Sequence, residues 1–165
     1  MTEVYVDSIS IKTAKLAQEI TKEDIEWKWS GGEREAALQL IFYKIDYVNN
    51  IFDMRWMIEH LSLYAIKQNA LPLKQKSLTY MDKLLEKKPD SDDILYLFLE
   101  KGFILWSMDK TDLSVDLFAL KIRTEYKNGD SFKAKLKDRY NHYTKTQNIS
   151  FPNQKSTWKL IKKLK

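Results

Sequence analysis

The chain repeats itself, and this constrains its architecture more than any other feature of the sequence. At an offset of 77 residues, Trp29-Ser30 falls on Trp106-Ser107, Leu40 on Leu117, Lys44-Ile45 on Lys121-Ile122 and Asp53 on Asp130. At an offset of 79, Tyr64 falls on Tyr143, Gln68-Asn69 on Gln147-Asn148, Gln75-Lys76-Ser77 on Gln154-Lys155-Ser156, and Lys83 on Lys162. One two-residue gap in the second helix of the copies reconciles the two offsets. A period of about 80 residues is too long for the common solenoid repeats. The pattern therefore predicts two tandem copies of one small unit, residues 1–88 and 89–165.

Each copy reads as helix, short strand, helix, helix, loop, helix, which places the chain in the mainly α class. Copy one opens with a helix near 8–20 carrying Ile9, Ala14, Leu16, Ala17 and Ile20. Its counterpart near 92–102 carries Ile94, Leu95, Phe98 and Leu99, with Asp90 or Ser91 placed to cap its free amides. Ile25, Trp27 and Trp29 alternate with polar residues, the period of a half-buried strand. Phe103-Ile104-Leu105-Trp106 takes the same place in copy two.

Turns at Ser30-Gly31-Gly32 and Ser107-Met108-Asp109 then lead into long helices. One spans about 34–48, with Ala37, Ile41, Ile45 and Val48 on one face. The other spans about 110–126, with Leu113, Leu117 and Leu120 as the apolar stripe that must pack on something. The next helices use Met57, Ile58, Leu61, Tyr64 and Ala65 in one copy and Phe132, Leu136, Tyr140 and Tyr143 in the other. An Asn128-Gly129 turn with Ser131 as cap precedes the latter. After a proline-containing loop, short closing helices begin near Ser77 and Ser156. The joint at Pro89–Asp93 doubles as a helix start, so the units are expected to pack closely.

Composition fits this reading. Four glycines and three prolines in 165 residues leave little material for tight turns. The absence of cysteine excludes a disulfide framework and any thiolate metal site. No apolar run approaches the roughly 20 residues that span a bilayer, so no membrane insertion is expected. The first residues, MTEVYVDSISIK, lack the basic and apolar regions of a signal peptide, which sets a cytoplasmic expectation.

Catalytic signatures are sparse, and the chain is read as a non-enzyme without cofactor or metal. His60 and His142 have no partner at metal-ligand spacing. Asp90, Asp92 and Asp93 lack the other ligands of a calcium loop and read as helix-capping residues. Gly31-Gly32 lacks the lysine of a phosphate loop and reads as a turn.

Charge is distributed unevenly. Residues 131–165 hold nine lysines and Arg139 against the single acid Asp138, a net +9 in a chain whose total is +5. Residues 1–130 therefore sum to −4. Lys133, Lys135, Lys137 and Arg139 would rim the apolar stripe of Phe132, Leu136, Tyr140 and Tyr143, and Lys145, Lys155, Lys159, Lys162 and Lys163 extend the charge. Lysine suits phosphate contact because it is a point charge that needs no exact geometry. These nine residues are the candidate contacts to a nucleic acid, DNA before RNA. A helical protein-interaction module, such as an immunity protein, inhibitor or adaptor, is the alternative, with the basic end gripping an acidic protein. The closing helix, Ser156–Lys165, could also sit on an anionic membrane or close the core.

The run Ile104-Leu105-Trp106-Ser107, then Lys110-Thr111-Asp112-Leu113 and Leu117-Phe118-Ala119-Leu120, resembles the C-terminal region of the RteC family, helical regulatory proteins of conjugative elements in Bacteroidetes. Copy one carries a degraded version in Trp29-Ser30-Gly31-Gly32 and Leu38, Leu40-Ile41-Phe42. The resemblance covers about 20 residues per copy, mostly at core positions. It implies a DNA-associated regulatory role in a mobile element and transfers no individual functional residue.

Overall fold

The computed structural model describes residues 16–49, 51, 54–124 and 129–165, with side chains described from 131 in the last stretch. Residues 16–19 are helical. There follow α1 (Lys22–Ser30), α2 (Arg34–Tyr47), α3 (Met54–Lys67), α4 (Leu71–Glu86), α5 (Ser91–Ser107), α6 (Thr111–Thr124) and α7 (Gly129–Asn141). A π-helical turn, His142–Thr146, extends α7, and α8 (Gln154–Lys162) closes the chain. The opening helix expected near 8–20 lies largely outside the described residues.

Neither expected strand exists: both segments are helical. Thr21 and Asp24 form a reciprocal capping box, with Asp24 N donating to Thr21 Oγ1 at 3.2 Å and Thr21 N to Asp24 Oδ2 at 2.9 Å. That cap nucleates α1 across the alternating run. Alternation then has a different meaning. At roughly 100° per residue, Ile25 and Trp29 share the inner face while Trp27 points away. Ile25 is fully buried, and Trp27 is 83% exposed. In the second half, Asp90 caps α5 through Asp93 N at 2.8 Å, and the helix runs unbroken through Phe103–Trp106.

α5 is the hub of the molecule. It is apolar almost all round, and it packs against α3, α4 and α6. Leu95, Leu97, Leu99, Phe103, Ile104 and Trp106 are all buried on it. A helix apolar on every face belongs in an interior. One contiguous core therefore crosses the proposed boundary at 88/89, from Ala17 to Ile161. Gly102 lets α6 come close: a Cβ built there would meet Phe118 Cε1 at 2.2 Å. Ser114 Oγ fastens the same crossing by donating to Gly102 O at 2.8 Å.

α2 and α6 are both 14 residues long and start 77 apart. Gly32 (φ 87°) and Asp109 (φ 61°), also 77 apart, both take the left-handed conformation that turns the chain into these helices. α1 packs on α2, and α2 on α3 and α4; correspondingly α5 packs on α6, and α6 on α7 and α8.

The closing helices depart from the sequence match. α4 begins at Leu71, with Pro72 in its first turn where its missing N–H costs nothing, not near Ser77 after a loop. Ser77 is buried and donates to Leu73 O at 2.8 Å, whereas Ser156 is exposed in the first turn of α8. Burial pairs Ser77 with Thr157 and Met81 with Ile161 instead, one residue out of register with the Gln-Lys-Ser match. Two further corrections follow. Gly129 and Ser131 lie within α7, so the expected turn and cap are not there, Asn128 being outside the described residues. Leu113 and Leu120, expected to pack inward, are each 54% exposed.

Candidate polyanion-binding face

α8 has nine residues, too few to be stable alone in water. An aromatic ladder holds it. Trp106, buried on α5, stacks on Phe151 at 4.5 Å and lies parallel to Tyr140 of α7 at 6.0 Å; Tyr140 in turn stacks on Trp158 of α8 at 3.8 Å. Trp106 Nε1 donates to Pro152 O at 2.8 Å, fixing the loop that leads into α8. Thr157 and Ile161 complete the inner face of α8.

With that face turned inward, the rest of α8 is set by helical geometry. Lys155, Lys159, Lys162 and Lys163 follow the i, i+4, i+7, i+8 spacing of one helix face, and all four are exposed. On α7, Lys133 and Lys137 project on the same flank as Tyr140, outward of it. On α8, Lys155, Lys159 and Lys162 project outward of Trp158 in the same way. Because Tyr140 and Trp158 are stacked, the two rows of lysines border one surface. Lys145, on the π-helical turn, is exposed as well. None of these seven lysines makes an ion pair with another described residue.

Two predicted contacts leave the set. Lys135 lies on the opposite flank of α7, 3.6 Å from Asp92 Oδ1 and over the Tyr96 ring at 5.3 Å. Arg139 is internal, with its side chain 12% exposed. Its Nε donates to Glu100 Oε1 at 2.5 Å, and its guanidinium also reaches Tyr143 Oη at 3.2 Å. Tyr143 donates to Glu100 Oε2 and accepts from Ser62 Oγ at 2.7 Å. These four side chains tie α3, α5, α7 and the π-helical turn together. Burial, then the Glu100 carboxylate, pushes the Tyr143 phenol well above its ordinary range. Burial pulls the Arg139 guanidinium down, but Glu100 and Tyr143 outweigh that and hold it raised. The network is satisfied and closed, so Arg139 is spent on the core and has nothing left for a phosphate. The sequence signal for this was missed: Glu100 is an acid inside an otherwise apolar helix, and such a residue needs an internal partner.

Arg123 is the cation that the sequence reading overlooked. It is exposed near the end of α6. In the first half, Asp46 holds Lys83 at 2.8 Å between α2 and α4. The 77-residue offset puts Arg123 at the place of Asp46, and either Lys162 or Lys163 stands where Lys83 does. An ion pair of the first half is replaced by two like charges in the second.

His60 Nδ1 lies 2.7 Å from Trp56 O and Nε2 lies 2.9 Å from Glu26 Oε1, linking α1 to α3. Burial, then Arg139, lowers the pKa of His142. A polar recess of roughly 520 Å³ lies between the C-terminal ends of α2 and α4, but its Asp46 and Lys83 already satisfy each other. Asp93, one of the three clustered acids, receives Arg55 Nε at 3.2 Å, and no group of three or more potential metal ligands occurs among the described residues. None of the described helices is long and apolar enough to cross a membrane. Comparison of the chain with protein-family models, curated proteins and solved structures finds no match.

Proposed function

We propose that this protein is a non-enzymatic nucleic-acid-binding protein, built from two related helical units, whose C-terminal unit grips the phosphate backbone of duplex DNA. One observation carries the reading: Lys133, Lys137, Lys155, Lys159 and Lys162, without an acidic partner among the described residues, border the Tyr140–Trp158 stack, and Lys145 and Lys163 are exposed on the same unit. The replacement of the Asp46–Lys83 pair by cations in the second half points the same way, as does the resemblance to RteC regulators. Lysine dominates this face, so affinity comes mainly from counterion release and base readout contributes little.

The test is duplex binding across a salt series. The full chain should lose affinity steeply as salt rises. Each phosphate contact removed should flatten the slope of log K against log salt by about 0.9. The triple variant Lys155→Gln/Lys159→Gln/Lys162→Gln, altered only at exposed positions, should therefore lower the slope by about 2 to 3 without changing thermal stability. No binding to duplex DNA at low salt would overturn the proposal and return the basic face to an acidic protein partner.

A further inference from the structure

Three leucines face the wrong way on α6. Leu113 and Leu120 are more than half exposed and Leu117 is partly so, at the i, i+4, i+7 spacing of a helix-docking stripe. The opposite face of the same helix supplies Ser114, Phe118 and Ile122 to the core. α6 is thus apolar on two sides, and among the described residues only one of them is covered.

The first half shows this face partly covered. The 77-residue offset puts Ala36, Leu40 and Tyr43 of α2 at the places of Leu113, Leu117 and Leu120. In the first half, those three residues line an apolar groove with Leu16 and Ile20. Lys44 holds that segment in place by donating its Nζ to Ile20 O at 2.6 Å and to Ala17 O at 3.2 Å. In the second half the residues at the places of Leu16 and Ile20, Asp93 and Leu97, belong to α5, and no described segment lies over the leucine stripe. Lys121, at the place of Lys44, rests over the Phe98 ring at 3.8 Å instead.

We infer that the exposed face of α6 docks against α6 of a second copy of this chain, antiparallel, across a twofold axis near Leu117. Charge selects this occupant. Asp112 and Asp116 lie along one flank of the leucine stripe in its N-terminal half, and Arg123 lies on the same flank near its C-terminal end. In an antiparallel helix pair like flanks face each other, which sets Asp112 opposite Arg123 of the second copy, twice by symmetry. Leu113 meets Leu120 across the axis and the opposed helix dipoles add to the fit. A single helix pair buries less than the roughly 800 Å² per partner of a stable interface. The association is therefore a concentration-dependent equilibrium in the micromolar range.

Sedimentation velocity of the full chain across a range of concentrations tests this. The wild type should pass from monomer to dimer as concentration rises. Leu113→Ser/Leu120→Ser should weaken the dimer by about tenfold or more, with unchanged circular dichroism, since both side chains lie at the surface. Asp112→Arg should also weaken it, and Asp112→Arg/Arg123→Asp should restore it, a rescue that mere loss of folding cannot mimic. A wild type that stays monomeric at high concentration overturns the inference and leaves the stripe to a different protein. A dimer indifferent to both sets of variants overturns it equally. Neither result decides whether a single basic face binds DNA, which the lysine variants test in the monomer.

Discussion

Arg139→Met isolates the buried network from the candidate binding face. Methionine keeps much of the length and apolar bulk of arginine while removing its charge and donors. The Nε–Oε1 bond at 2.5 Å and the contact to Tyr143 Oη at 3.2 Å disappear. Glu100, with none of its surface exposed, then keeps a buried carboxylate supported only by the Tyr143 hydroxyl. Removing one partner of a buried ion pair costs about 3–5 kcal/mol. For a domain of this size, each kcal/mol lowers Tm by about 2–4 °C, so the variant should melt about 6–20 °C below the wild type. Thermal unfolding followed by far-UV circular dichroism measures this. Glu100→Gln/Arg139→Met removes both charges and should recover part of the loss, because an amide is cheaper to bury than a lone carboxylate. At a temperature where Arg139→Met is folded, its salt slope for duplex DNA should equal that of the wild type. A loss below about 2 °C, or a slope lowered as Lys159→Gln lowers it, would refute the assignment of Arg139 to the core.

Two further predictions concern the core. Gly102→Ala should destabilise the protein by up to about 2 kcal/mol in urea unfolding: alanine favours a helix by about 1 kcal/mol, but its Cβ would stand 2.2 Å from Phe118 Cε1, and such overpacking costs about 1–3 kcal/mol. A stabilised variant would show that the close crossing of α5 and α6 is wrong. Burial, then Glu26, pushes the Tyr64 phenol from its usual 10.0 to about 12. A pKa raised by folding gives stability that is whole below pH 10 and lost as pH rises through about 12. Tyr64→Phe should remove part of that alkaline loss, and tyrosinate absorbance should show one late-titrating ring fewer.

The sequence made α2, α6 and the Asp90 cap legible because each rests on local physics: a 3.6-residue apolar period, a side-chain oxygen ahead of a helix, a glycine or aspartate in a left-handed turn. It misled where a period of two was read without its context. Three turning points, Ile25, Trp27 and Trp29, look like a strand until the capping box at Thr21 and Asp24 is counted. Phe103–Trp106 carries no period at all, and only its central place among α3, α4 and α6 makes it helical. The exposure of Leu113 and Leu120 was not legible from α6 alone, since a helix with apolar residues on two sides does not say which side the core will take. Of the nine cations proposed for binding, Arg139 was lost to a long-range partner, Glu100, that lies 39 residues away. Lys135 left the set because it stands on the opposite flank of α7, beside the exposed Asp92.

The division of labour between the two kinds of cation has a physical reason. A guanidinium is weakly hydrated and offers a planar fork, so it can be buried against Glu100 and Tyr143 at tolerable cost. The ammonium groups of the seven unpaired lysines are strongly hydrated and stay toward solvent, whereas the buried ammonium of Lys44 has to be held by backbone carbonyls. On the proposed reading, such a face would hold a polyanion by charge without reading its sequence closely. Dimerisation through α6 would place two such faces on one particle. Each would meet the same duplex at the high effective concentration set by the other, so a modest single-face affinity becomes a strong one without any new contact. The salt slope of the dimer would then approach twice that of the monomer, and the weak α6 equilibrium would set the concentration at which binding switches on.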